Sequence, residues 1–263
     1  MEITIKRATL LMFALLAGLT ACRKQAVDNS VLPVVVGYLI PGQPISVKVY
    51  EQKDITDTAV YGPLIAGLKL SINDGTRSYS LSETATGTYT YSDASILSAG
   101  KTYKLSFTYD GKTVTASTLM PAKPTGYTTD FNYAYPSSTN SPGIILPPAF
   151  TLHWDNPDSL NHVVVFMNDE ASPPSVSGRG FNAPVNFTID AKQASSLAVY
   201  ARSFNYYGTY RAILYSVDKV YADALKSNAN TSSQELTDPP TNVVNGYGIF
   251  ASAQTDTLAI SVQ

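Results

Sequence analysis

Two tight turns set the register of the first half of this chain. Leu68, Leu70 and Ile72 alternate up to Asn73-Asp74-Gly75, and Tyr79 and Leu81 alternate beyond it. Tyr103, Leu105, Phe107 and Tyr109 lead into Asp110-Gly111, and Val114, Ala116 and Thr118 lead out. A period of two on both sides of an Asx-Gly pair specifies a β-hairpin, because the turn that matches strand twist needs positive φ at its central residues. Val34–Val36, Ile45–Tyr50 (after the Pro41-Gly42 turn) and Gly87–Tyr91 supply further strands, with Ile45, Val47 and Val49 on one face. About seven strands in about 90 residues is close to the size of an immunoglobulin-type sandwich. Residues 33–121 are therefore expected to form an immunoglobulin-like β-sandwich, and Ala99-Gly-Lys-Thr-Tyr103 has the layout of a tyrosine corner.

Pro121-Ala-Lys-Pro124 removes two backbone donors in four residues and marks a domain boundary. Beyond it Phe150, Leu152 and Trp154 alternate, His162–Met167 reads as a strand buried on both sides, and Val185, Phe187 and Ile189 alternate. Leu197–Arg202, Tyr210–Tyr215, Gly246–Phe250 and Thr257–Val262 complete the strand-like runs. Val217, Val220, Tyr221, Ala224 and Leu225 follow a helical period, with Ser216 or Asp218 placed to cap it. The fold class expected is all-β: two tandem β-sandwich domains, the second (125–263) embellished with one short helix.

Ahead of the sandwiches lies a different kind of segment. Lys6 and Arg7 precede the apolar run Ala8–Gly18, too short to span a bilayer, and Leu19-Thr-Ala-Cys22 resembles the lipobox of exported lipoproteins. Residues 1–21 thus read as a signal peptide, Cys22 as the lipidation site and 22–32 as a tether. Cys22 is the single cysteine, so lipidation leaves no thiol for a disulfide, a metal or a nucleophile. By resemblance to the sorting signals of such lipoproteins, Arg23 in place of an aspartate implies the outer membrane, with the face left open.

Charged residues make up only 14% of the chain and the net charge is −2, which leaves no basic footprint for nucleic acid. The two histidines, His153 and His162, with Asp155 and Asp158, are the one set that a metal site would draw on, and His153 falls on the polar side of its strand. Asp74 and Asp110 are accounted for by turns, which leaves few carboxylates to pair as a glycosidase requires. No phosphate-binding, dinucleotide or serine-hydrolase motif occurs. No cofactor and no catalytic residue are expected. Aromatic surface is the more informative feature: Tyr127, Phe131, Tyr133 and Tyr135 form one cluster, and Tyr206, Tyr207 and Tyr210 another, both among small polar residues. Tyr133, Tyr135, Tyr206 and Tyr207 are the candidate ligand or partner contacts.

The lipobox, Val34-Val-Val-Gly-Tyr38, Asp110–Pro121, Asp218–Leu225 and Asn242–Phe250 occur in an order that resembles an uncharacterised Bacteroidetes lipoprotein family, catalogued as domain of unknown function 4249. That family's usual closing Gly-Leu-Gly stands here as Gly246-Tyr-Gly248. Its members are often encoded beside TonB-dependent outer-membrane receptors. The resemblance therefore implies a non-catalytic binding or accessory role in uptake, with such a receptor or a glycan as partner. A fimbrial or adhesin subunit and a glycan-acting enzyme are the alternatives. Asp57-Thr58-Ala, Asp158-Ser159-Leu and Asp256-Thr257-Leu resemble the O-glycan acceptor of periplasmic Bacteroidetes proteins, which makes Thr58, Ser159 and Thr257 candidate modification sites.

Overall fold

The computed structural model describes residues 31–53, 61–136, 146–176, 183–229 and 241–263. The signal peptide, Cys22, nearly all of the tether and Thr58 lie outside the described residues.

In the first sandwich β1 (Pro33–Leu39), β2 (Ile45–Glu51), β5 (Ser82–Ala85) and β6 (Thr88–Tyr91) share one sheet. The facing sheet holds β3 (Ser71–Asn73), β4 (Ser78–Ser80), β7 (Thr102–Tyr109) and β8 (Lys112–Leu119). Alternation does what the sequence predicts: Ile45, Val47 and Val49 are buried against Tyr103, Leu105 and Phe107. Asp110 and Gly111 both have positive φ, 46° and 72°, as a type I′ hairpin requires. At the other hairpin the Asp74 carboxylate accepts from the backbone N–H groups of Thr76 and Arg77 and pairs with Lys101 at 3.2 Å. Those bonds hold its carboxyl well below the usual range. The tyrosine corner is present. Tyr103 Oη donates to the Ile96 carbonyl and accepts from Ser98 N–H, both at 2.7 Å.

The second sandwich faces β9 (Thr125–Thr129), β11 (Phe150–Asp155) and β14 (Ser196–Val199) against β12 (Asn161–Asn168), β13 (Phe187–Lys192) and β15 (Gly208–Val217). Its core gathers Phe150, Leu152, Trp154, Val164, Phe166 and Leu214. The expected strand at Leu197–Arg202 stops at Val199 and passes into a 3-10 turn over Ala201–Ser203. Helix α1 (Lys219–Ala229) starts at Asp218, whose Oδ1 accepts from Tyr221 N–H at 2.9 Å; Val217, expected inside the helix, instead ends β15. Ser216 is no cap. It is buried, with its Oγ 3.0 Å from His162 Nε2.

The final strand does not keep to the expected boundary. The runs expected at Gly246–Phe250 and Thr257–Val262 fall, but for Gly246, within one strand, β17 (Tyr247–Val262). Its first half pairs parallel with β1 from Val34↔Tyr247 to Leu39↔Ser252. Its second half pairs antiparallel with β15 from Val217↔Ala253 to Gly208↔Val262 and meets the short β10 (Tyr133–Ala134). Phe250 is buried in the first core, Ile260 and Val262 in the second. The short β16 (Val243–Val244) likewise pairs with β8, so residues 243–252 complete the first sandwich although they follow the second in sequence. One long sheet therefore runs β13-β12-β15-β17-β1-β2-β6-β5 through both halves. Helix α1 covers part of its outer face, where Ala222 packs on Val163 and Val217.

Candidate functional site

Strand parity decides what the long sheet shows to solvent beside α1. With Val35, Leu39, Val47 and Val49 turned into the core, β1 and β2 present Val36, Tyr38, Ser46, Lys48 and Tyr50 outward. Across β17 the second half contributes Val165, Tyr215 and, from α1, Tyr221. The floor between them is Ala251 to Ala253, and side chains that small leave an open cleft of about 610 Å3. Five tyrosines wall it: Tyr38, Tyr50, Tyr61, Tyr215 and Tyr221. Tyr50 and Tyr61 stack at 4.7 Å between ring centroids, and Tyr38 meets Tyr221 edge-on at 5.9 Å across the junction of the two halves.

The electrostatics of the cleft are simple. Lys48 is the one charged side chain among its described lining residues, which include no carboxylate. Burial pushes the Tyr38, Tyr50, Tyr215 and Tyr221 phenols above their ordinary value, so at neutral pH each keeps its proton as a hydrogen-bond donor. Gln43 and Ser46 add neutral polar groups at the rim. A site of this kind can hold flat apolar faces and hydroxyls, and among its described lining residues no acid and base pair comes together.

The residues singled out from sequence lie elsewhere. Tyr133 and Tyr135 are exposed, at 40% and 62%, and form a ladder of rings with Phe131 beside a smaller hollow bounded by Leu146, Pro148 and Tyr200. Tyr206 and Tyr207 are half-buried and bonded into their own surroundings: Tyr206 Oη donates to the Ala183 carbonyl, and Tyr207 packs on the second core. Tyr127 and Tyr210 are core residues, with Tyr127 Oη donating to the Ala212 carbonyl at 3.2 Å. The two tyrosine clusters are not brought together into one site. His153 is exposed, whereas His162 is buried between Ser216 and the Leu160 carbonyl, and burial lowers its pKa. Among the described residues no three His, Cys, Asp or Glu side chains gather as a metal site would need. Ser159 and Thr257 are exposed, the first in a turn with φ of 52°.

The cleft tyrosines form no group in the sequence because they come from five separate segments. One signal was available: Tyr38 and Tyr50 stand at outward positions of strands whose inward positions are aliphatic.

The model of a family described as Domain of unknown function (DUF4249) matches residues 27–259. The chain belongs to this family. The DUF4249 match takes in both sandwiches and most of β17, so the family unit includes the strand that the two halves share. A search of curated proteins finds no match. Among solved structures the chain is similar to the chicken CNTN1 FN1–FN3 domains, at 11% identity over 89% of this chain, a TM-score of 0.29 and 65% of that chain, less than two thirds of its length. It is also similar to a two fibronectin type-III domain segment from chicken tenascin, at 11% identity, 88% of this chain, 99% of that one and a TM-score of 0.26. A third is trypsin-activated alpha-2-macroglobulin from Escherichia coli, at 12% identity, 88% of this chain, 16% of that one and a TM-score of 0.23. The all-β architecture stands on the strand pairings themselves. Among the described residues no helix is long and apolar enough to cross a membrane.

Proposed function

We propose that this DUF4249 protein is a non-catalytic binding lipoprotein, held at the outer membrane by lipid on Cys22 and serving a TonB-dependent receptor, and that its tyrosine cleft takes a neutral glycan. The observation that carries the reading is the cleft itself: among its described lining residues, five tyrosines, one lysine and no carboxylate around about 610 Å3. Pyranose rings offer C–H faces that stack on phenol rings, and hydroxyls that meet tyrosine, serine and glutamine groups. The absence of a facing carboxylate pair within the described lining favours holding such a ligand over cleaving it. The fimbrial alternative needs a strand that can leave; β17 sits between β1 and β15, and its departure would open both cores.

The test is calorimetric titration of the full chain in detergent with a panel of neutral oligosaccharides. Tyr38 and Tyr61 are 43% and 51% exposed, so Tyr38→Ala and Tyr61→Ala are expected to leave the fold intact. Each is expected to weaken binding about tenfold, the equivalent of ~1.4 kcal/mol. No binding to any member of the panel, or binding that both variants leave unchanged, overturns the glycan reading. A detergent pull-down that recovers no TonB-dependent receptor overturns the accessory role separately.

A further inference from the structure

Where the two sandwiches meet, three buried side chains form a chain of contacts. Thr118 on β8, Asp218 at the start of α1 and Ser252 on β17 are 3%, 8% and 1% exposed. Asp218 Oδ2 bonds to Thr118 Oγ1; Thr118 Oγ1 lies 2.8 Å from Ser252 Oγ; and Ser252 Oγ lies 2.9 Å from the Leu119 carbonyl oxygen. The other carboxyl oxygen, Oδ1, is taken by Tyr221 N–H, and Asp218 N–H donates to the Ser252 carbonyl at 3.2 Å.

The protons in this chain can be counted. A carbonyl only accepts, so the link to Leu119 uses the one hydroxyl proton of Ser252. The link between Thr118 and Ser252 must then use the one hydroxyl proton of Thr118. Nothing is left for the link between Thr118 and Asp218 unless the carboxyl itself supplies a proton. An ionised Asp218 would leave either two buried hydroxyl oxygens or a hydroxyl and a carbonyl facing each other with no proton between them.

We propose that Asp218 carries a proton in the folded protein, and that this proton closes a one-way relay from Asp218 to Thr118 to Ser252 to the Leu119 carbonyl. The relay clasps α1 and β15 of the second sandwich to β8 and β17 of the first. The surrounding charges fit a neutral acid. Lys219 and Asp223 on α1 pair with each other, Tyr215 on β15 and Tyr221 on α1 are neutral phenols, and Tyr38 on β1 lies beyond Tyr221. Of β8 and β17, only the Thr118 hydroxyl and the Ser252 backbone reach the carboxyl, and among the described residues no cation pairs with it. Burial raises the Asp218 pKa, and the hydrogen bonds the carboxyl makes with Thr118 and with the Tyr221 and Ser252 backbone offset that only in part.

The folded state therefore binds a proton that the unfolded chain has released, in the window between the ordinary aspartate value and the raised native one. Stability falls as pH rises through that window. Asparagine reproduces the protonated acid: its Nδ2–H donates to Thr118 while its Oδ1 still caps α1. Thermal melts of the full chain from pH 5 to pH 8 are expected to show the wild-type melting temperature falling relative to Asp218→Asn. At pH 8 Asp218→Asn is expected to melt at or above wild type and Asp218→Ala well below both. The carboxyl 13C signal of Asp218 in the unaltered protein is expected to titrate above 3.8, the ordinary aspartate value. Titration at or below that value, or an Asp218→Asn variant as damaged as Asp218→Ala, overturns the proposal. Should either variant fail to fold, the 13C titration of the wild type decides alone.

Discussion

The Tyr103 hydroxyl serves two backbone groups at once, the carbonyl of Ile96 and the N–H of Ser98, from a fully buried ring. Tyr103→Phe keeps the ring and strips both partners in a region that water does not reach. It is expected to cost about 2 kcal/mol. At this chain length each kcal/mol lowers the melting temperature by ~2–4 °C, which scanning calorimetry resolves. The corner was legible because the glycine-led approach to a strand-opening tyrosine is a local pattern. Tyr89 was not, although its Oη does the same work: it donates to the Ile65 carbonyl and accepts from Leu68 N–H. Its partners lie more than 20 residues upstream, at separations of 24 and 21, beyond any turn signal. Tyr127 shows the converse. Lying among threonine and glycine it reads as a surface aromatic, yet it is buried edge-on to Trp154. Composition around a residue says nothing about which side of a sheet will close over it.

At the level of elements, the hairpins, the capped helix and the two ends of β17 were readable, and the continuity of β17 was not. A strand declares itself by the core it faces, and Ala251–Asp256 crosses the gap between two cores, where nothing apolar is required. The signal that did mark this strand was Gly248. Its φ is +97°, and a Cβ there would run into the carbonyl of Val35, against which β17 lies in the parallel pair. Gly248→Ala is expected to cost at least ~2 kcal/mol, combining left-handed strain with a backbone clash at the sheet's centre. Gly42 is the control, because it has a similar φ of +83° but open space around it. Gly42→Ala is expected to cost only ~1 kcal/mol. Equal losses of stability in the two variants, by urea titration, would show that the close approach to Val35 contributes nothing. The cleft was the least legible feature, since it depends on β17 bringing β1 and β2 beside β15 and α1.

On the scale of the whole molecule, a strand common to both cores predicts that neither sandwich melts alone. The chain has one tryptophan, Trp154, buried in the second core, so its emission follows that half while far-ultraviolet dichroism follows both. The two signals are expected to give coincident urea transitions; a dichroism transition that runs ahead of the fluorescence would show the first sandwich unfolding independently. The same strand reverses the usual order of assembly. Domains made on a ribosome commonly fold from the N-terminal one onward. Here β1, which begins at Pro33, cannot acquire its parallel neighbour until Tyr247–Ser252 have been synthesised. The half of the protein that emerges first is therefore the half that must wait, open along that edge, until nearly all of the chain is available.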